Sequence, residues 1–160
     1  MSSSFEQTCR SDERSFALAC PLCGKPGASV APPTVRALIA ACRRDRVDPE
    51  ADYRFCANPA CELVYFVGTA PGEVARKNDL RVRVGVKETD DSAPLCYCFR
   101  FTRKHIRDEA AAGRTSIISE VKRRVRQREC ACETENPSGR CCLGDLAREA
   151  KLARSAKGAR

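Results

Sequence analysis

Apolar residues along this chain follow a helical pattern, then a strand pattern, then a helical one again. Behind Thr34, which can cap a first turn, Val35, Leu38, Ile39 and Cys42 fall at i, i+3, i+4 and i+7. The spacing predicts a helix with Cys42 buried on its apolar stripe as a small hydrophobe. Residues 53–67 switch to strands. Tyr53-Arg-Phe55-Cys56 and Cys61-Glu-Leu-Val64-Tyr65-Phe66-Val67 are rich in aromatic and β-branched residues, and Asn58-Pro59 marks the turn of a β-hairpin. Leu80-Arg-Val82-Arg-Val84-Gly-Val86-Lys alternates with period two and predicts a half-exposed strand.

A polar stretch, Glu88 to Pro94, separates this region from a mostly helical one. Thr102 can cap a helix through about Ala112, which Gly113 stops. A second helix is predicted from about Ser116 to Gln127. Ile117, Ile118, Val121 and Val125 lie on one side of it, and Lys122, Arg123, Arg124, Arg126 and Arg128 on the other. Asn136-Pro-Ser-Gly139 reads as a turn, and a last helix begins near Leu143 and fades into a basic tail. The expected fold class is α+β. Its expected organisation is a flexible arm (1–17), a hairpin module (18–88), a helical module (89–147) and a tail (148–160).

Twelve cysteines in 160 residues, with no Trp, point to small metal-built modules rather than one large core. No run of about 18 apolar residues exists to span a membrane. The first residues lack the basic and apolar regions of a signal peptide, so a cytoplasmic location is expected. Thiols stay reduced there, which favours metal over disulfide.

Cys20-x2-Cys23 and Cys56-x4-Cys61 form two short chelating loops, the donor set of tetrahedral zinc. A single-iron, rubredoxin-like site is the lesser alternative. Zinc here would be structural, pinning a hairpin with little core of its own. Cys96-x-Cys98 differs, because C-x-C chelation suits an iron–sulfur centre better than one zinc. A [2Fe–2S] centre needs four thiolates. Cys96 and Cys98 supply one pair, and spacing leaves the second open among Cys130, Cys132, Cys141 and Cys142. With His105 as the single histidine, a Rieske-type site and a His-based zinc hydrolase are excluded, and a Ser–His–Asp or Cys–His mechanism is disfavoured. His105 reads as an exposed or capping imidazole. Cys9 and Cys42 stand alone.

The formal charge of +8 lies entirely in residues 100–160, where 16 Lys/Arg face 8 Asp/Glu. Two filled tetrathiolate sites, at about −2 each, would offset part of it. The excess admits an acidic redox partner, or nucleic acid bound by a metal-responsive regulator. The tail has no aromatics for base stacking, which disfavours nucleic acid. No nucleotide-binding fingerprint is present, so an enzyme reading would need a partner to supply electrons.

Several runs together resemble a known family. They are Cys20-Pro-Leu-Cys23-Gly24, Phe55-Cys56-Ala-Asn-Pro-Ala-Cys61-Glu-Leu-Val-Tyr65-Phe66, Arg83-Val-Gly-Val-Lys87, Leu95-Cys96-Tyr-Cys98-Phe and Asn136-Pro-Ser-Gly-Arg-Cys141-Cys142. Over about residues 18–147 the chain resembles the amino-terminal metal domain of CopZ-type copper chaperones. Its second half is similar to the [2Fe–2S] domain of bacterioferritin-associated ferredoxins. The resemblance implies zinc on Cys20, Cys23, Cys56 and Cys61, and a [2Fe–2S] cluster on Cys96, Cys98, Cys132 and Cys142, with Cys130 and Cys141 as non-ligands. It further implies electron transfer or an accessory role in copper homeostasis, with a redox or metal-handling partner. The family's copper-binding heavy-metal-associated module has no counterpart in these residues, so the expectation is metal and redox handling rather than copper delivery.

Overall fold

A computed structural model describes residues 18–68 and 72–158. The predicted arm at 1–17, with Cys9, lies outside the described residues. The first half is built on a four-stranded antiparallel sheet in the order β1-β2-β3-β4. Its strands are β1 (Ala28–Ser29), β2 (Tyr53–Phe55), β3 (Leu63–Val67) and β4 (Glu73–Arg76). The predicted hairpin is β2–β3, with Tyr53 opposite Val67 and Phe55 opposite Tyr65.

β3 is buried along almost its whole length because both of its faces are covered. Val64 and Tyr65 join a core of Val30, Val35, Ile39, Val47, Tyr53, Phe55, Ala75 and Val84. Leu63 and Phe66 pack instead with Cys20, Cys56 and Cys61. Register shifts against β4 at Tyr65 let neighbouring residues serve one face where strict alternation would divide them.

Two elements differ from expectation. Helix α1 (Pro32–Leu38) starts after Ala31, with Pro32-Pro33 in its first turn, so Thr34 lies inside it and is buried. Proline is preorganised for a first turn whose N–H groups need no intrahelical partner. The helix ends at Leu38, where Ile39 turns extended and bridges Leu80, so Cys42 sits exposed on a 3-10 turn (Ala41–Arg46) and not in the core. The predicted strand at 80–87 is not a strand. Leu80 makes one bridge to Ile39, and residues 85–87 close a 3-10 turn. Gly85 allows this, since a Cβ there would lie 1.7 Å from the Pro94 carbonyl oxygen. The fourth strand is β4 instead, which periodicity did not mark.

The second half has a two-stranded ribbon, β5 (Pro94–Cys96) and β6 (Phe101–Thr102), and four helices. These are α2 (Arg103–Ala111), α3 (Ser116–Arg126), α4 (Cys132–Glu135) and α5 (Leu143–Gly158). Leu95, Cys96, Ile106, Val121, Cys142, Leu146 and Ala150 form its core. Thr102 and His105 close a reciprocal capping box at α2, so the single histidine is a cap. Gly113 ends α2 at φ +71°. The basic tail continues α5 to Gly158 as helix. No described helix is long and apolar enough to cross a membrane.

The segment expected as a linker is held from both sides. Ala93 within it is fully buried. Arg103, also buried, donates to the carbonyls of Gly85, Glu88 and Asp90 and pairs with Glu149 at 3.2 Å.

Candidate metal centres

The first site is assembled from two turns set against β3. In the first turn Gly24 N–H donates to the Cys20 carbonyl at 2.8 Å, and Gly24 takes φ +69°. A residue with a Cβ is strained in that conformation. The second turn connects β2 to β3. Cys56 N–H donates to the Val64 carbonyl, Cys61 N–H donates to Asn58, and the Asn58 side chain accepts from Ala60. Cys20 Sγ lies 3.8 Å from Cys61 Sγ, and Cys23 Sγ lies 3.7 Å from Cys56 Sγ. All four sulfurs fall within 4.8 Å of one another. A tetrahedral zinc with bonds of about 2.3 Å requires sulfur–sulfur edges of about 3.8 Å, which these distances match.

The four thiols differ in acidity. Burial pushes Cys56 up to about 12, against the Asn58 N–H and the Lys87 ammonium. Burial also raises Cys20. Burial opposes ionisation at Cys23 too, but the Asn58 side chain, the Lys25 N–H and the neighbouring thiols outweigh it and lower Cys23 to about 6.

The second group lies where β5, α4 and the start of α5 meet. Cys98 Sγ lies 3.7 Å from Cys132 Sγ and accepts a hydrogen bond from Ala131 N–H at 3.2 Å. Cys96 and Cys142 are both buried in the helical core. Cys142 interacts with Cys132 and Cys96 together. Its hydrogen bond stabilises the Cys132 thiolate, which burial opposes, and lowers Cys132 to about 5. Burial drives Cys98 up to about 12 despite the Ala131 N–H. Cys130 is half-buried and Cys141 exposed. The thiol contact of Cys98 runs across the chain to Cys132 rather than within the C-x-C. Among the described residues, only the first quartet is compact enough for all its sulfurs to share one small ion.

Two contacts near these thiols were not legible from spacing. Lys87 reaches into the Cys56–Cys61 turn. Tyr97, between Cys96 and Cys98, accepts from Gly85 N–H at 2.8 Å and donates to the Arg83 carbonyl at 2.9 Å. The Arg83-to-Lys87 run carried the family resemblance but no ligand, so residue type alone gave no reason to single it out.

Comparison with known proteins decides the relationship. A solved structure, the N-terminal domain of CopZ from Archaeoglobus fulgidus, matches with a TM-score of 0.66 and 35% identity, over 81% of this chain and 95% of that one. This chain belongs to the CopZ family. The copper chaperone CopZ of Archaeoglobus fulgidus is 36% identical over 129 residues, which cover 81% of this chain and 60% of that protein. The chain therefore spans about three fifths of its CopZ relative. A family described as a zinc binding domain matches residues 17–81, a span that holds Cys20, Cys23, Cys56 and Cys61 and stops short of Lys87. The family match accordingly places a zinc-binding domain in the first half of the chain.

Proposed function

We propose that this protein is a zinc- and [2Fe–2S]-binding redox accessory factor in copper homeostasis. Zinc would be held by Cys20, Cys23, Cys56 and Cys61 and would be structural. The cluster would be held by Cys96, Cys98, Cys132 and Cys142, in a helical module of the bacterioferritin-associated-ferredoxin kind that follows the zinc module. The observation that carries this reading is the Cys98–Cys132 contact at 3.7 Å, which draws in two of the four cysteines the family pattern selects. Their companions Cys96 and Cys142 are buried close by, while Cys130 and Cys141 lie nearer solvent.

A [2Fe–2S] centre, when bound, supplies one-electron chemistry. The chain's own residues set its surroundings. Ala131 N–H donates to the Cys98 sulfur, the kind of contact that tunes reduction potential. Leu95, Ile106, Val121 and Leu146 keep water from the inner side of the site. Helix α3 borders the C-x-C loop, with Arg124 over the Phe99 ring at 4.9 Å. The cations of that helix would steer an acidic redox partner toward the thiols. Cu(II) held by a partner is the metal substrate this reading favours, and reduced thiols favour the cytoplasm.

Anaerobic purification followed by iron, acid-labile sulfide and zinc analysis tests the proposal. About two iron, two sulfide and one zinc per chain are expected, with a paramagnetic signal after one-electron reduction. Zinc in both sites with no sulfide would end it.

A further inference from the structure

Lys87 is 4% exposed. Its Nζ donates to the Asn58 carbonyl at 2.9 Å and the Cys61 carbonyl at 2.8 Å. Both acceptors belong to the turn that carries Cys56 and Cys61. Neither is charged, and no carboxylate among the described residues pairs with this ammonium. A buried charge without an opposite charge is costly, so a compensating anion belongs nearby. Four thiolates around a divalent ion leave a net charge of about −2, three of those thiols are buried, and the ammonium is bonded to the backbone of one of them.

The backbone that carries the lysine is also held in place from several sides. Its turn is closed by Lys87 N–H on the Val84 carbonyl. Gly85, two residues back, is fixed by Tyr97, by Arg103 and by the tight approach of Pro94. Fixing the backbone in this way leaves only the side-chain rotamers of Lys87 to be ordered when its ammonium meets the turn.

We propose that Lys87 is a positioning residue of the zinc site: its buried ammonium holds the Cys56–Cys61 turn through two carbonyls and balances the negative charge of the filled thiolate set. The inference rests on the zinc reading of Cys20, Cys23, Cys56 and Cys61. It adds a residue from outside the matched zinc binding domain, supplied by the segment that leads into the second half.

The test is zinc release from the full metal-loaded chain to an excess of colorimetric chelator. Lys87→Met removes charge and donors, Lys87→Gln keeps donors without charge, and Lys87→Arg keeps both. Met and Gln variants should release zinc ~10-fold faster or more, with Arg within about threefold of the unmodified chain. Should Lys87→Met fail to fold, Lys87→Gln decides. A second readout separates charge from scaffolding. With cobalt(II) in the site, the thiolate-to-metal charge-transfer band should move to lower energy in Lys87→Gln and stay in place in Lys87→Arg. Unchanged release and an unmoved band in Lys87→Gln would overturn the inference, as would release from Lys87→Arg as fast as from Lys87→Gln. An unmodified chain that holds no zinc would overturn the zinc reading along with it, whereas one zinc per chain with unaltered variants would overturn this inference alone.

Discussion

The Tyr65 hydroxyl donates a 2.7 Å hydrogen bond to the Pro137 carbonyl. Tyr65 stands in the centre of β3, and Pro137 lies in the turn between α4 and Cys141, so one buried bond ties the zinc half to the segment that carries Cys132 and Cys142. Burial raises the Tyr65 hydroxyl well above its ordinary value and keeps it a donor. Tyr65→Phe leaves a buried carbonyl unpaired, at a cost of about 1–3 kcal/mol. A lower urea midpoint in the metal-loaded protein checks this; an unchanged midpoint would show that the tie contributes nothing.

Stripped of metal, the first quartet should react in a set order. With Cys23 held at about 6 and Cys56 at about 12, iodoacetamide at neutral pH should modify Cys23 first and Cys56 slowly. The thiolate is the reacting form, so the Cys23 rate should fall as pH drops through about 6. Peptide mapping of partly alkylated protein reads both results.

Glu109 caps a helix it does not belong to. Its carboxylate, on α2, accepts from Ile117 N–H at 2.9 Å and from the Ser116 hydroxyl at the start of α3. Burial alone would raise its pKa, but these donors prevail and lower it. A depressed carboxylate stabilises the fold above its ordinary value of about 4.5, and that contribution is lost as pH falls below it. Glu109→Gln should therefore destabilise by about 1–2 kcal/mol at neutral pH, the gap narrowing in acid. Denaturation at several pH values measures it.

The pair Arg103–Glu149 is buried, whereas Lys104–Asp108, one residue along the same helix, is exposed. Glu149→Gln strands a buried guanidinium and should cost about 3 kcal/mol or more. Lys104→Ala should cost about 0.5 kcal/mol or less. Equal losses would mean that burial does not set the scale here.

On α3, Arg123 and Arg124 are both engaged by Glu120, while Lys122 and Arg126 form no ion pair among the described residues. Under the proposed redox role, reversing Lys122 and Arg126 to Glu should slow electron exchange with an acidic partner at low salt. Reversing Arg123 should do less. Stopped-flow rates across a salt series decide this, and the difference should vanish once the screening length is about 3 Å, near 1 M.

The hairpin, the helices after residue 100, the cap at Thr102 and the gathering of the first cysteine quartet were legible because each is written locally. A hairpin declares itself by strand composition and Asn58-Pro59, and a chelating loop by its spacing. What was not legible depends on distant partners. Alternation from Leu80 to Val86 has the period of a strand, but Gly85 must close on Pro94, and Tyr97 and Arg103 take the Gly85 N–H and carbonyl that a strand would pair. Cys42 fitted a helical stripe that breaks at Ile39, which turns extended to bridge the distant Leu80. Lys87 looked like the polar end of that same alternation. Its role lies in carbonyls 26 and 29 residues away, which no periodicity encodes.

Arg103 draws three of its acceptors from residues 85–90. The two halves are therefore not interchangeable cassettes, even though the cysteines divide cleanly between them. An excised helical fragment that begins at Thr89 would leave behind the Gly85 and Glu88 carbonyls, together with the Arg83 and Gly85 groups that anchor Tyr97. The cut that respects the structure falls before Arg83, and any grafting of this helical half onto another protein should carry those residues along.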